Sequence, residues 1–172
     1  MNAATYLLDT DVLITAKNRY YSFKICPGFW ESLLHYNGSS RVLSIDRVKQ
    51  EILFGNKEDK LVQWVKTDVP DGFFEESGES DVVSYFTDIM MWAQRHQRYT
   101  DAAKAKFASG ADGWLVAFAK AKGYVLITNE QPAPDSSKAI KLPDVCNEFE
   151  VLYNDTFAML EELNVGYSFA AS

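Results

Sequence analysis

Near its start the chain reads as an apolar run broken by acids: Tyr6-Leu7-Leu8 gives way to Asp9-Thr10-Asp11 before Val12-Leu13-Ile14 resumes the apolar pattern. Four or five apolar residues suffice for a short buried strand, so the pattern predicts a strand that ends in acidic side chains. The Asp-Thr-Asp triplet admits two uses. It can cap a helix, and it can supply hard oxygen ligands.

Short apolar runs then alternate with helical spacing. Pro27 to His35 predicts a helix that Asn37-Gly38-Ser39-Ser40 breaks, and Arg41-Val42-Leu43-Ser44 predicts a second strand. A helix follows from Ile45 to Phe54, ended by Gly55-Asn56, and another covers Glu58 to Lys66. The segment from Asp68 to Glu79, with Pro70, Gly72 and Gly78 among acids, reads as a solvated loop. Ser80-Asp81 opens a long amphipathic helix with Val82, Val83, Phe86, Ile89, Met90 and Ala93 on one stripe. Ala111 to Lys122 predicts a helix stopped by Gly123, and Tyr124-Val125-Leu126-Ile127-Thr128 is the clearest strand. Beyond a loop holding Pro132 and Pro134, extended pieces are expected near Ala139–Leu142 and Glu150–Tyr153, with a last helix from Asp155 to Leu163.

Strands separated by helices imply a parallel sheet covered on both faces, because parallel strands need crossover connections and those are usually helical. Sites on such sheets sit at the carboxyl ends of strands, where strand order reverses. At 172 residues, 47% hydrophobic and 24% charged, the chain suits one globular domain spanning 1–172. No segment reaches the roughly 20 apolar residues of a membrane helix, and the N-terminus lacks the basic start of an export signal, so a cytoplasmic location without membrane association is expected. Cys26 and Cys146 are far apart and outside any Cys-x-x-Cys spacing, which predicts two buried thiols. A formal charge of −7 argues against a surface that attracts nucleic acid everywhere and leaves room for a local basic patch.

Four acids from separate elements stand out. Asp9 ends the first strand. Glu51 lies between Val48 and Phe54 at offsets of three, beside the apolar side of its helix. Asp112 shares a face with Leu115, Val116 and Ala119, although Ser109-x-x-Asp112 could also be a capping-box variant. Glu130 follows the clearest strand and taken alone reads as an exposed loop acid. Brought together, such carboxylates would repel and raise one another's pKa unless Mg²⁺ or Mn²⁺ compensated the charge. A metal held this way activates water and neutralises a phosphodiester oxygen, which is nuclease chemistry.

At these residues the sequence resembles the PIN-domain family, and within it the PIN-like proteins long classed as a domain of unknown function. The resemblance runs through Tyr6 to Ile14, Val48-x-x-Glu51-Ile52, Ala111-Asp112, Val125 to Glu130 and Ile140 to Cys146. It implies a three-layer α/β/α fold with a mainly parallel sheet and Mg²⁺- or Mn²⁺-dependent endoribonuclease activity on an RNA substrate. It further implies the toxin role in a type II toxin–antitoxin pair, with a cognate antitoxin and a homodimer as partners. Asp9, Glu51, Asp112 and Glu130 become the catalytic and metal-site acids. Asp11 stands where PIN toxins often carry Asn or Ser and joins the metal directly or from behind, and Glu130 replaces a more usual Asp. Asp135 could substitute for Glu130 but reads first as a loop residue.

Thr10 and Thr128 are candidate hydrogen-bonding supports, and either could instead cap a helix or finish a strand. Lys17, Arg19, Arg41 or Arg95-His96-Gln97-Arg98 could guide a nucleic-acid backbone, with Tyr20 or Tyr99 available for stacking. Two other readings compete. Leu7-Leu8-Asp9-Thr10-Asp11-Val12 also resembles the haloacid dehalogenase-type phosphatase signature, with Asp9 as nucleophile, but a downstream Gly-Asp-x-x-x-Asp pair is missing and Glu51 would have no duty. The other is a catalytically inactive PIN-like interaction module, since fold alone does not establish catalysis.

Overall fold

Strand β1 (Tyr6–Leu8) is buried along its whole length, and so is β2 (Val42–Ile45), which means that both faces of the sheet are covered. The computed structural model describes residues 3–171. β1 pairs in parallel with β2 on one side and with β4 (Val125–Ile127) on the other. β3 (Phe74–Glu75) extends the sheet beyond β2, and β5 (Tyr153–Asn154) extends it beyond β4. The result is a five-stranded, all-parallel sheet in the order β3-β2-β1-β4-β5, flanked by helices as a three-layer α/β/α fold.

The helices are α1 (Thr10–Asn18), α2 (Pro27–Asn37), α3 (Asp46–Leu53), α4 (Lys60–Thr67), α5 (Ser80–Arg95), α6 (Asp101–Ser109), α7 (Asp112–Lys122), α8 (Leu142–Glu148) and α9 (Thr156–Glu162). α7 carries the densest core, with Leu115, Val116, Ala117, Phe118 and Ala119 all buried. It ends at Gly123, whose φ of 71° is a left-handed conformation that a side chain would strain. α5 packs closely on α7 at Gly113, where an added Cβ would stand 2.5 Å from Met90 Cε and 3.2 Å from Phe86 Cε2. On the α5 stripe Val82, Ile89 and Ala93 are buried, whereas Val83 is exposed.

Three elements depart from the sequence pattern. The acidic segment expected as a loop contains β3, a strand too short for periodicity to mark, which is fixed by pairing Ser44 with Phe74 and Ile45 with Glu75. The stretch expected to be extended near Ala139–Leu142 leads instead into α8, where Pro143 occupies the first turn and Leu142, Val145 and Cys146 are buried at helical spacing. α6 goes beyond the elements that the pattern predicts. Its apolar face is only Ala103 and Phe107, although the Thr100 side chain caps it through Ala103 N at 3.2 Å. Cys146 is buried, but Cys26, expected to be buried as well, is only partly so. Among the described residues no helix is long and apolar enough to cross a membrane.

Candidate active site

β1, β2 and β3 step outward in one direction and β4 and β5 in the other, so the strand order reverses between β1 and β4. Ligand sites in open parallel sheets form outside the carboxyl ends of strands at such a reversal. Asp9 is the first residue after β1, and its backbone N–H donates to Ile127 O of β4 at 3.0 Å. Although Asp9 occupies the N-cap of α1, its side chain makes no capping bond, so the capping reading fails at this residue. The carboxylate, 4% exposed, instead accepts from Thr128 Oγ1 at 3.0 Å.

Asp112 starts α7 and likewise caps nothing. The capping-box alternative fails because the Ser109 hydroxyl donates to Lys106 O at 3.0 Å. Glu51 is exposed by residue but committed by its carboxylate: Oε1 accepts from Ala111 N at 2.8 Å and Oε2 from Thr10 Oγ1 at 2.6 Å. The expectation that it lies beside the apolar face is thereby corrected, since its helix position faces water and the side chain reaches across to the α6–α7 turn. Glu130 is half-buried, accepting from Leu142 N at 2.9 Å and pairing with Lys141 Nζ at 3.3 Å. It is therefore no free loop acid. Asp11 accepts from Thr15 Oγ1 within α1 at 3.0 Å, and Asp135 is exposed.

Glu51, Asp112 and Glu130 line one cleft of about 420 Å³, together with Lys106, Lys138 and Lys141. Asp9 lies close enough for its charge to interact with those of Asp112, Asp11 and Glu130. Burial first, and then the charge of Asp112, raises the Asp9 carboxyl well above its ordinary value, against the opposing Thr128 hydrogen bond. Burial, Glu130 and Glu51 push Asp112 up to about 7, with Lys141 and Lys106 opposing. Neither aspartate forms an ion pair with Lys or Arg among the described residues. Burial also pushes the neighbouring Cys146 thiol up to about 12, with Asp9 and Asp112 adding to the effect, so it stays protonated. Among the described residues no three His, Cys, Asp or Glu side chains converge into a ready-made metal cage.

The sequence profile of a family described as Domain of unknown function (DUF4411) matches residues 6–167. The chain belongs to the DUF4411 family. No curated protein matches it. The matched span of this DUF4411 chain includes Asp9, Asp11, Glu51, Asp112 and Glu130, and every strand of the sheet.

The basic residues of the cleft are not the ones singled out in the sequence. Lys17 is paired with Asp59 at 2.5 Å, Arg41 Nε donates to Ala4 O at 2.6 Å, and Arg98 Nε donates to Ser136 O at 3.2 Å. Tyr99 is buried against Trp92 and His96 and cannot stack on a ligand, whereas Tyr20 is exposed. Lys106, Lys138 and Lys141 take the place beside the acids. Lys106 sits on α6, which has little apolar signature, and Lys138 and Lys141 precede α8, so misreading these segments hid them.

Proposed function

We propose that this DUF4411 protein is a Mg²⁺- or Mn²⁺-dependent endoribonuclease of the PIN-like kind, acting as the toxin of a type II toxin–antitoxin pair in the cytoplasm. The observation that carries the reading is the Asp9–Asp112 pair: two carboxyls near the strand-order reversal, each pushed up by burial and by neighbouring acids, neither in an ion pair with Lys or Arg among the described residues. A divalent cation resolves that repulsion. The donor set fits one: every candidate ligand is a carboxylate oxygen, which suits Mg²⁺ or Mn²⁺ over zinc.

Asp9, Glu51, Asp112 and Glu130 would hold the ion, with Asp11 flanking them. Bound there, it would activate water and offset charge on the phosphodiester. The chain's own contribution is positional. Thr128 fixes the Asp9 carboxylate, Thr10 and the Ala111 N–H fix that of Glu51, and the Leu142 N–H and Lys141 fix that of Glu130. Lys106 and Lys138 supply positive charge for phosphates on a chain that is acidic as a whole. The antitoxin and the homodimer enter through the resemblance to PIN toxins. A phosphatase with Asp9 as nucleophile would leave Glu51 and its two hydrogen bonds without a role.

The test is incubation of the purified full chain with single-stranded RNA and Mn²⁺, beside Asp9→Asn and Asp112→Asn. Metal-dependent cleavage that disappears in both variants is the expected result. Failure of the full chain to cut RNA with Mn²⁺ would overturn the proposal, as would a covalent aspartyl-phosphate trapped on Asp9.

A further inference from the structure

A second groove shares the Glu51 wall with the acid cleft. Arg47, Gln50, Glu51 and Phe54 fall at offsets of three, four and seven on α3 and form one side of it. The α6–α7 turn and Trp114 form the other side, enclosing about 430 Å³, within the roughly 300–1,000 Å³ of small-ligand sites. Phe54 is 95% exposed at the end of α3. Arg47 caps a stack: its guanidinium lies 4.5 Å from the Trp114 ring centre, and Trp114 stacks on Phe86 at 3.8 Å with the rings 10° apart.

The Arg47 plane is also held from the side. Its Nε donates to Ser77 Oγ at 3.4 Å and lies 3.8 Å from the Asp46 carboxylate, which itself accepts from Ser77 Oγ at 2.6 Å. A fixed guanidinium and a bare phenyl ring on one helix face, with an amide between them, match the groups that receive unstacked bases. We infer that this groove is a stacking subsite for one unpaired nucleobase of single-stranded RNA, with Arg47 and Phe54 as its planar surfaces and Gln50 reading the base edge. The inference deepens the nuclease reading and rests on it for the role of the adjoining cleft, where Lys106 and Lys138 face the strand's phosphates.

The experiment measures binding without catalysis. The full chain in EDTA is titrated against a fluorescein-labelled single-stranded RNA oligonucleotide, and against a series carrying one abasic nucleotide at successive positions. Base stacking contributes enough that one abasic position should weaken binding roughly 5- to 100-fold. Phe54→Ala should weaken the intact oligonucleotide similarly and lose nothing further at that abasic position. Arg47→Lys keeps the charge and removes the plane, so it should do the same without changing the salt dependence. Phe54→Ala should leave the fold intact, because the ring is 95% exposed and truncating it opens no core cavity.

Wild-type affinity in both variants, an abasic penalty that persists in full in Phe54→Ala, or no binding of any oligonucleotide would overturn the subsite. The two proposals separate cleanly. A chain that binds through Phe54 yet cuts nothing with Mn²⁺ keeps the subsite and loses the nuclease; a chain that cuts RNA with unchanged kcat and KM in Phe54→Ala keeps the nuclease and loses the subsite.

Discussion

The Thr128 hydroxyl donates to the Asp9 carboxylate at 3.0 Å, joining residues 119 positions apart across the point where the strand order reverses. The same oxygen accepts from the backbone N–H of Glu130 at 3.2 Å, so one buried hydroxyl orients the Asp9 carboxylate and anchors the backbone of a second candidate metal acid. Thr128→Val removes the donor and strands a buried carboxylate, and should cost about 1–3 kcal/mol in urea unfolding. Thr128→Ser keeps the hydroxyl and should recover most of it. Equal losses in the two variants would show that packing, and not the hydrogen bond, holds Thr128.

Asp112 should make the metal-free protein less stable as pH rises. Its folded pKa of about 7 exceeds its ordinary 3.8, so between those values the folded state holds a proton that the unfolded state releases. The contribution is complete below about 3.8 and is lost as pH climbs through about 7. In EDTA the thermal midpoint should therefore fall from pH 5 to pH 8. Asp112→Asn should flatten that slope and raise the midpoint at pH 8 by roughly 2–8 °C. A wild-type profile parallel to that of the variant would refute the assignment.

Divalent cations should reverse the same penalty. Millimolar Mn²⁺ should stabilise the wild type at pH 8 and much less at pH 5, where protons already neutralise Asp112 and compete for the site. Calorimetric titration should show Mn²⁺ binding that Asp9→Asn and Asp112→Asn weaken. Binding unchanged in both variants would place the ion elsewhere.

Glu51 holds two helices at a fixed distance from a third. Its carboxylate spans Thr10 of α1 and the Ala111 N–H that precedes Asp112. Glu51→Gln retains a carbonyl acceptor and should leave the fold intact while reducing metal affinity. Glu51→Ala should lose about 1 kcal/mol of stability as well. If Gln supports full metal affinity, Glu51 only braces the turn.

Gly113 tests the seat of α7. Valine there must enter the space held by Met90 Cε and Phe86, so Gly113→Val should destabilise by about 1–3 kcal/mol and disturb the Phe86–Trp114 stack. Trp fluorescence and urea unfolding report the two effects. Unchanged stability would mean that Met90 swings aside without cost.

Much of the architecture is written in local patterns. The apolar runs at Tyr6–Leu8, Val42–Ile45 and Val125–Ile127 mark central strands because strands covered on both faces need continuous apolar residues. The stop at Gly123 and the break at Gly38 mark helix ends. β3, two residues long, carries no period, and its existence depends on an adjacent strand edge, whereas β5 begins at the end of the extended stretch that the pattern marks at Glu150–Tyr153. α6 was illegible for another reason: with only Ala103 and Phe107 buried, its stripe is too thin to detect.

By itself the sequence determined the α/β alternation and the odd placement of Asp9 and Asp112, because hydrophobic period and an acid against an apolar pattern are properties of neighbours in the chain. The tertiary structure decided what no local pattern contains: that Glu51 reaches across to Ala111, that Lys106, Lys138 and Lys141 border the acids, and that Arg47 lies on Trp114. Those relationships join residues far apart in sequence, and their charges and rings act on one another only once the parallel sheet has brought its strand ends together.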